Sequence, residues 1–190
     1  MTLKRTTVKS NVEFQNLPEG DYDGRLVYIA DLGLQERSYK GEEKDPAYYA
    51  SLGIEILGQP ISTEDGTMTR IMWTKPFPLI NKKISEKSGE FKAYKVFDKS
   101  AQDNCTPDWE AQLGKPVSVS IVHVPDKADP DIVYDNISML TPIPDKYAAE
   151  VPEAETEFAV GDSDTPDNVV NGKLYGLAKW MFDKRLSVPF

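Results

Sequence analysis

Between Leu17 and Ile143 apolar residues recur mostly at every second position, and clusters of Gly, Pro, Asp and Asn break the runs. That pattern commits this part of the chain to short strands joined by turns. The segment "DYDGRLVYIADLGL" (21–34) puts Leu26, Tyr28 and Ala30 on one expected face and Val27 and Ile29 on the other. It is long enough to bend across a small barrel. The segment "YASLGIEILG" (49–58) alternates Leu52, Ile54 and Ile56 with Ser51, Gly53 and Glu55, and "MTRIMWTK" (68–75) gives a third strand after the turn "STEDGT". Two more follow at "PVSVSIVHV" (116–124) and "DIVYDNISML" (131–140).

The period changes between the third and fourth strands. In 85–103 Phe91, Tyr94 and Phe97 lie three apart, which fits a short helix with Phe91 and Phe97 turned to the core. In 106–115, Thr106 or Asp108 can cap one helical turn that Gly114 ends. Three strands, a helical insert and two strands make a mainly β chain whose order fits a five-stranded OB-fold barrel with the helix between strands 3 and 4. Periodicity alone also permits other small β barrels.

The pattern stops after Ile143. Residues 145–170 carry one Lys against eight carboxylates and few large apolar groups, too little to offset the entropy of ordering. The composition therefore predicts a flexible acidic C-terminal tail, with 145–172 as a disordered linker. Beyond it, Leu174, Leu177, Ala178 and Met181 form a helical stripe in 173–190, a segment with four bases and one acid. The expected division is an N-terminal arm (1–17), a barrel (18–144), the linker and this basic amphipathic segment. Of the formal net charge of −9, residues 145–170 hold −7.

No catalytic constellation is visible. His123 sits between two valines without a nucleophile motif, and Cys105 lies in a polar loop. One Cys and one His exclude a disulfide within the chain and a Cys/His metal cluster. No apolar run of ~18 residues suggests a membrane span, and the first residues lack the apolar centre of a signal peptide. The expectation is a soluble intracellular protein that is not an enzyme and has no cofactor.

Bases interleave with aromatics instead. Residues 70–99 carry eight bases and three acids, including Arg70, Lys75, Lys82, Lys83, Lys87, Lys92 and Lys95, beside Trp73 and Phe77. The segment 35–49, read as a loop between strands 1 and 2, adds Arg37, Tyr39, Lys40, Lys44 and Tyr48. Single-stranded nucleic acid asks for this pairing, because bases stack on aromatic rings while cations follow the phosphates. In an OB fold that loop borders the binding face of strands 2 and 3. A plainer reading stands beside it: Trp73 as a core residue of its strand, and the lysines as a solvated helix face.

The succession "GDYDGRLVYIADLGLQERSYKG", "SLGIEILG", "TRIMWTKPF", "LGKPVSVSIVHV" and "YDNISMLTPIP" resembles the OB-fold single-stranded DNA-binding proteins of tailed bacteriophages over about residues 18–144. The resemblance implies a replication or recombination protein that coats single strands without sequence preference, in the cytoplasm of a bacterial host. It also implies an acidic tail that recruits phage replication proteins, here through the terminal Pro189 and Phe190. The alternative from another class is an acidic phage inhibitor that imitates DNA to block a host enzyme. A third is a structural adaptor that binds no nucleic acid.

Overall fold

The computed structural model describes residues 15–79, 83–165 and 168–186. The chain is mainly β: β1 (Gly20–Tyr39), β2 (Glu42–Ile56), β3 (Ile61–Thr63), β4 (Gly66–Met68), β5 (Ile71–Trp73), β6 (Phe77–Leu79), α1 (Gly89–Phe97), β7 (Pro116–Pro125), β8 (Val133–Pro142), α2 (Asp145–Ala148), β9 (Ala159–Gly161) and α3 (Gly176–Asp183). The main sheet runs β5-β2-β1-β7-β8, with β6 also on β2 and β9 on β1. All of its pairings are antiparallel except that of β9 with β1.

β1 organises the sheet by changing partners partway along. Its first residues pair with β7 and the rest with β2, and Gly24 and Arg25 pair with both. A Cβ at Gly24 would lie 2.7 Å from Ile54 Cγ2 and 3.0 Å from Val119 Cγ2, so only glycine lets three strands approach there. One face of all five strands converges on a single cluster. It holds Leu26, Ile29, Leu52, Ile54, Met72, Val117, Val119 and Ile121, with Ile137 and Leu140 packed against it. α1, capped by the Ser88 hydroxyl accepting from Phe91 N–H at 3.0 Å, buries Phe91, Tyr94 and Phe97.

Several sequence expectations change here. The register of β1 against β2 slips between Leu26 and Tyr28, and this bulge inverts the alternation beyond it. Leu26 and Ile29 therefore share the inner face, while Val27, Tyr28, Ala30 and Leu32 lie on the outer side. The segment 35–49 is not a loop. β1 and β2 continue to a two-residue turn at Lys40 and Gly41, both with positive φ, 53° and 84°, the combination that a tight hairpin needs. The third strand is split into β5 and β6 around Pro76, which has no N–H for the ladder. There the Thr74 hydroxyl accepts from Leu52 N–H at 3.0 Å.

The largest departure is the acidic segment. Instead of a disordered linker, residues 150–158 and 168–182 pack across the outer face of the sheet, and β9 between them pairs with β1. Val170, Leu174, Ala178 and Phe182 form a second buried cluster with Val27, Tyr28, Ala30 and Leu32. α3 begins only at Gly176, so its buried side carries Ala178 and Phe182, while Leu177 of the expected stripe faces solvent. Two polar anchors compensate for the sparse apolar content. The Arg25 guanidinium donates to the carbonyls of Pro152, Gly114 and Val151 at 2.6, 2.6 and 2.8 Å and to Glu153 at 3.1 Å. Its register partner Glu55, only 3% exposed, accepts from the N–H groups of Glu155 and Thr156, both at 2.9 Å. Composition undercounts such a segment because its order depends on partners in β1 and β2.

Candidate nucleic-acid interface

Trp73 belongs neither to the inner cluster of the sheet nor to an open platform. It lies on the outer side of the sheet, over Gly53, with its ring stacked on Tyr28 at a centroid distance of 6.2 Å. Its Nε1–H donates to the Lys173 carbonyl at 3.1 Å, and the Tyr175 hydroxyl donates to the Ile71 carbonyl at 2.8 Å. Burial pushes the Tyr175 hydroxyl up to about 12, and it raises Tyr28 above the ordinary phenol value, with the Glu55 carboxylate adding to the effect. The face of strands 2 and 3, where sequence order puts a binding groove, is thus occupied by the chain's own C-terminal segment.

Two more sequence candidates are structural. Phe77 is 7% exposed and stacks on Trp109 at 5.8 Å between centroids inside the core, so no base can reach it. Arg70 is 5% exposed. It donates to the Gln59 and Gln15 carbonyls at 3.2 and 2.8 Å and lies 3.8 Å from Asp135 of β8. This ion pair brings together the two ends of the β5-β2-β1-β7-β8 path. Lys95 donates to the Ala101 carbonyl near the end of α1. Lys75, Lys83, Lys87 and Lys92 are exposed on β6-flanking turns and α1. Lys82, Pro189 and Phe190 lie outside the described residues.

What the structure does bring together is the outer half of the β1–β2 hairpin, an arm that extends past the packed sheet. Its register sets Arg37 opposite Lys44, Ser38 opposite Glu43 and Tyr39 opposite Glu42. Residues directly opposite in an antiparallel pair share a face, and successive pairs alternate. Arg37, Lys44, Tyr39 and Glu42 therefore share one face, and Ser38 and Glu43 the other. Tyr39 is 63% exposed, with Lys40 Nζ 5.4 Å from its ring centroid. Lys44 bonds Glu42 at 2.8 Å, while Arg37 has no ion-pair partner among the described residues. Like charges set directly opposite each other cost stability, and an anion between them relieves that cost. Tyr48, also exposed, stands at the base of the arm opposite Leu34 on one side and Leu79 of β6 on the other.

Other sites are poorer candidates. A pocket of about 410 Å³ opens beside Ile29, Ala50, Leu79 and Trp109. Asp31, Asp108 and Glu110 also line it, so its charge repels phosphate. The turn between β7 and β8 carries Asp126, Asp129 and Asp131 against Lys127. Among the described residues no three His, Cys, Asp or Glu side chains are grouped to hold a metal, and no helix is long and apolar enough to cross a membrane. Sequence reasoning missed Trp180 of α3, exposed at the far end of the covering segment. Its signal was present, an aromatic four residues before Lys184 in a basic stretch. No protein-family model and no curated protein matches the chain.

Proposed function

We propose that this chain is a sequence-tolerant single-stranded DNA-binding protein built on an OB-type barrel and serving phage DNA replication or recombination. The observation that carries the reading is the two-faced arm, which places exposed Lys44 and Tyr39 and half-buried Arg37 on one face. Stacking on an aromatic ring accepts any base, and paired cations accept the backbone. Counting β5 and β6 as one interrupted strand, the order of the sheet and the position of α1 agree with the OB arrangement, a partly open barrel whose loop between strands 1 and 2 contacts nucleic acid. With strands 2 and 3 covered, the arm becomes the contact surface. The phage setting rests on the sequence resemblance.

Titration of the full chain with oligo-dT at several salt concentrations tests this. If Arg37, Lys40 and Lys44 engage phosphates, log K falls against log salt with a slope of ~2, from ~0.7 per contact. Arg37→Ala with Lys44→Ala flattens the slope and Tyr39→Ala weakens binding at all salts, whereas Glu43→Ala on the opposite face does neither. Absence of binding at low salt would refute the reading.

One observation favours the DNA-mimic alternative: the carboxylates of 145–165 sit on a folded surface rather than a loose tail. Charge-neutral variants of exposed Glu150, Glu155 and Glu157 separate the two readings. They abolish activity in a mimic and leave oligo-dT binding intact or tighter in a single-strand binder.

A further inference from the structure

The C-terminal helix offers a surface that the arm does not account for. α3 turns Ala178 and Phe182 into the outer cluster, and this leaves Leu177, Trp180 and Lys184 along its solvent side, at a helical spacing of three and four. Trp180 is 54% exposed, and Lys184 Nζ lies 4.6 Å from its ring centroid. Trp73 and Trp109, the other tryptophans, have partners within the fold. A large aromatic ring held in water with a cation over one face repeats the arrangement of Tyr39 and Lys40 at the arm tip.

The helix is tied to the base of that arm. Gln35 Nε2–H donates to the Met181 carbonyl at 3.0 Å, and Leu186 N–H donates to the Leu34 carbonyl at 2.8 Å. The local charge suits an anion, with Lys173, Lys179, Lys184 and Arg185 against Asp183. We infer that Trp180 and Lys184 form a second stacking and phosphate contact for single-stranded DNA, continuing the path that begins on the arm. This inference rests on the function proposed above. From Leu34 to Tyr39 the arm extends ~17 Å at ~3.3 Å per residue. A strand touching both ends therefore needs several nucleotides, within the ~4–16 that single barrels cover.

The test is a length series of oligo-dT, from four to twenty nucleotides, titrated against the full chain and its Trp180→Ala, Trp180→Phe, Lys184→Ala and Tyr39→Ala variants. Trp180→Ala is expected to weaken binding of long oligonucleotides by roughly five- to tenfold, with short ones unaffected, because one stacked base is lost. Trp180→Phe restores most of the affinity. Lys184→Ala lowers the salt slope by ~0.7. If the parent and Tyr39→Ala proteins differ as proposed while Trp180→Ala binds every length like the parent, this inference fails and the proposed function stands. If the parent binds no oligonucleotide, the function itself fails. A concentration-dependent dimer abolished by Trp180→Ala, with unchanged DNA affinity, would assign the face to a second copy and overturn the proposal.

Discussion

Glu55→Ala should release residues 150–157 from the sheet without unfolding the interior. The Glu55 carboxylate holds the N–H groups of Glu155 and Thr156 at 2.9 Å each, in a site where it is 3% exposed. Hydrogen bonds to a charged group contribute ~1.5–3 kcal/mol apiece. Because the two bonds go to the two oxygens of a single carboxylate and the freed amides regain water, the local loss should be ~2–4 kcal/mol. At ~1.4 kcal/mol per factor of ten, that becomes ~30- to 1,000-fold faster hydrogen exchange at Glu155 and Thr156. The Arg25 contacts to Pro152 and Val151 remain, so the segment opens from its Glu155 end. Amides of Leu26 and Ile54, in the inner cluster, should keep their protection. Loss of the carboxylate also lowers the Tyr28 phenol, since Glu55 is one cause of its raised value. Glu55→Gln, which keeps an acceptor but no charge, should fall between. Exchange measured by NMR decides the matter: parental rates at Glu155 and Thr156 in Glu55→Ala would refute the polar-anchor argument.

Glu90 is buried, and desolvation raises its carboxyl above the ordinary value, partly opposed by the Trp109 indole N–H at 3.3 Å. A raised folded-state value makes its contribution greatest at low pH and lost as pH rises through it, so Glu90→Gln should raise Tm at pH 7 and lose that advantage below pH ~4, near the unfolded value. Asp135→Ala should cost ~3–5 kcal/mol in urea denaturation, because it strands buried Arg70 and removes the acceptor of Leu17 N–H at 2.8 Å. Gly53→Ala places a Cβ 2.9 Å from Tyr28 Cβ and 3.1 Å from the Trp73 ring, and a thermal melt should report ~1–3 kcal/mol of overpacking. Truncation after Pro144 uncovers Val27, Tyr28, Leu32 and Trp73. At ~1.5–3 kcal/mol per exposed large side chain, the loss rivals the ~5–15 kcal/mol that holds a domain together, so the product should aggregate or melt early rather than bind DNA more tightly.

The strands were legible wherever one face is buried and the other reaches solvent: β7 from Val117 to Ile121 follows the alternation residue for residue. Legibility failed where an extra residue enters a ladder. Nothing local in "RLVYIADLG" announces the slip at Val27, because apolar residues occupy both faces there. The outer residues Val27, Tyr28, Ala30 and Leu32 were themselves the signal, since a strand apolar on both faces needs cover on both. The covering segment does not advertise itself, because Arg25 and Glu55 hold it through its backbone, and backbone groups carry no sequence pattern. For the interface, Tyr39, Arg37 and Lys44 were readable as residue types, and only the register from the Lys40–Gly41 turn shows which of them share a face. Phe77 and Arg70 look the same in sequence as exposed contacts. Their burial is decided by Trp109 and Asp135, far along the chain.

The pinned acidic segment also changes the electrostatic argument. A loose tail of eight carboxylates would sweep the whole surface and screen every cation within a Debye length, ~8 Å at physiological salt. Held by Arg25 and Glu55, the segment with Glu153, Glu155 and Glu157 has a fixed address beyond the sheet's outer face, while Asp145 is paired with Lys99 near the end of α1. On the arm Arg37 and Lys44 stand opposite each other, with Glu42 bonded to Lys44, so a positive sign is confined to that pair on a segment that also carries Glu36, Glu43 and Asp45. If the chain binds single strands as proposed, a phosphate chain meets repulsion from the covering segment and attraction at that pair, which orients it before contact. Under that proposal the net charge of −9 selects which face meets nucleic acid instead of excluding nucleic acid as a partner. Reversing Arg37 and Lys44 to Glu would erase that selection without touching a buried contact.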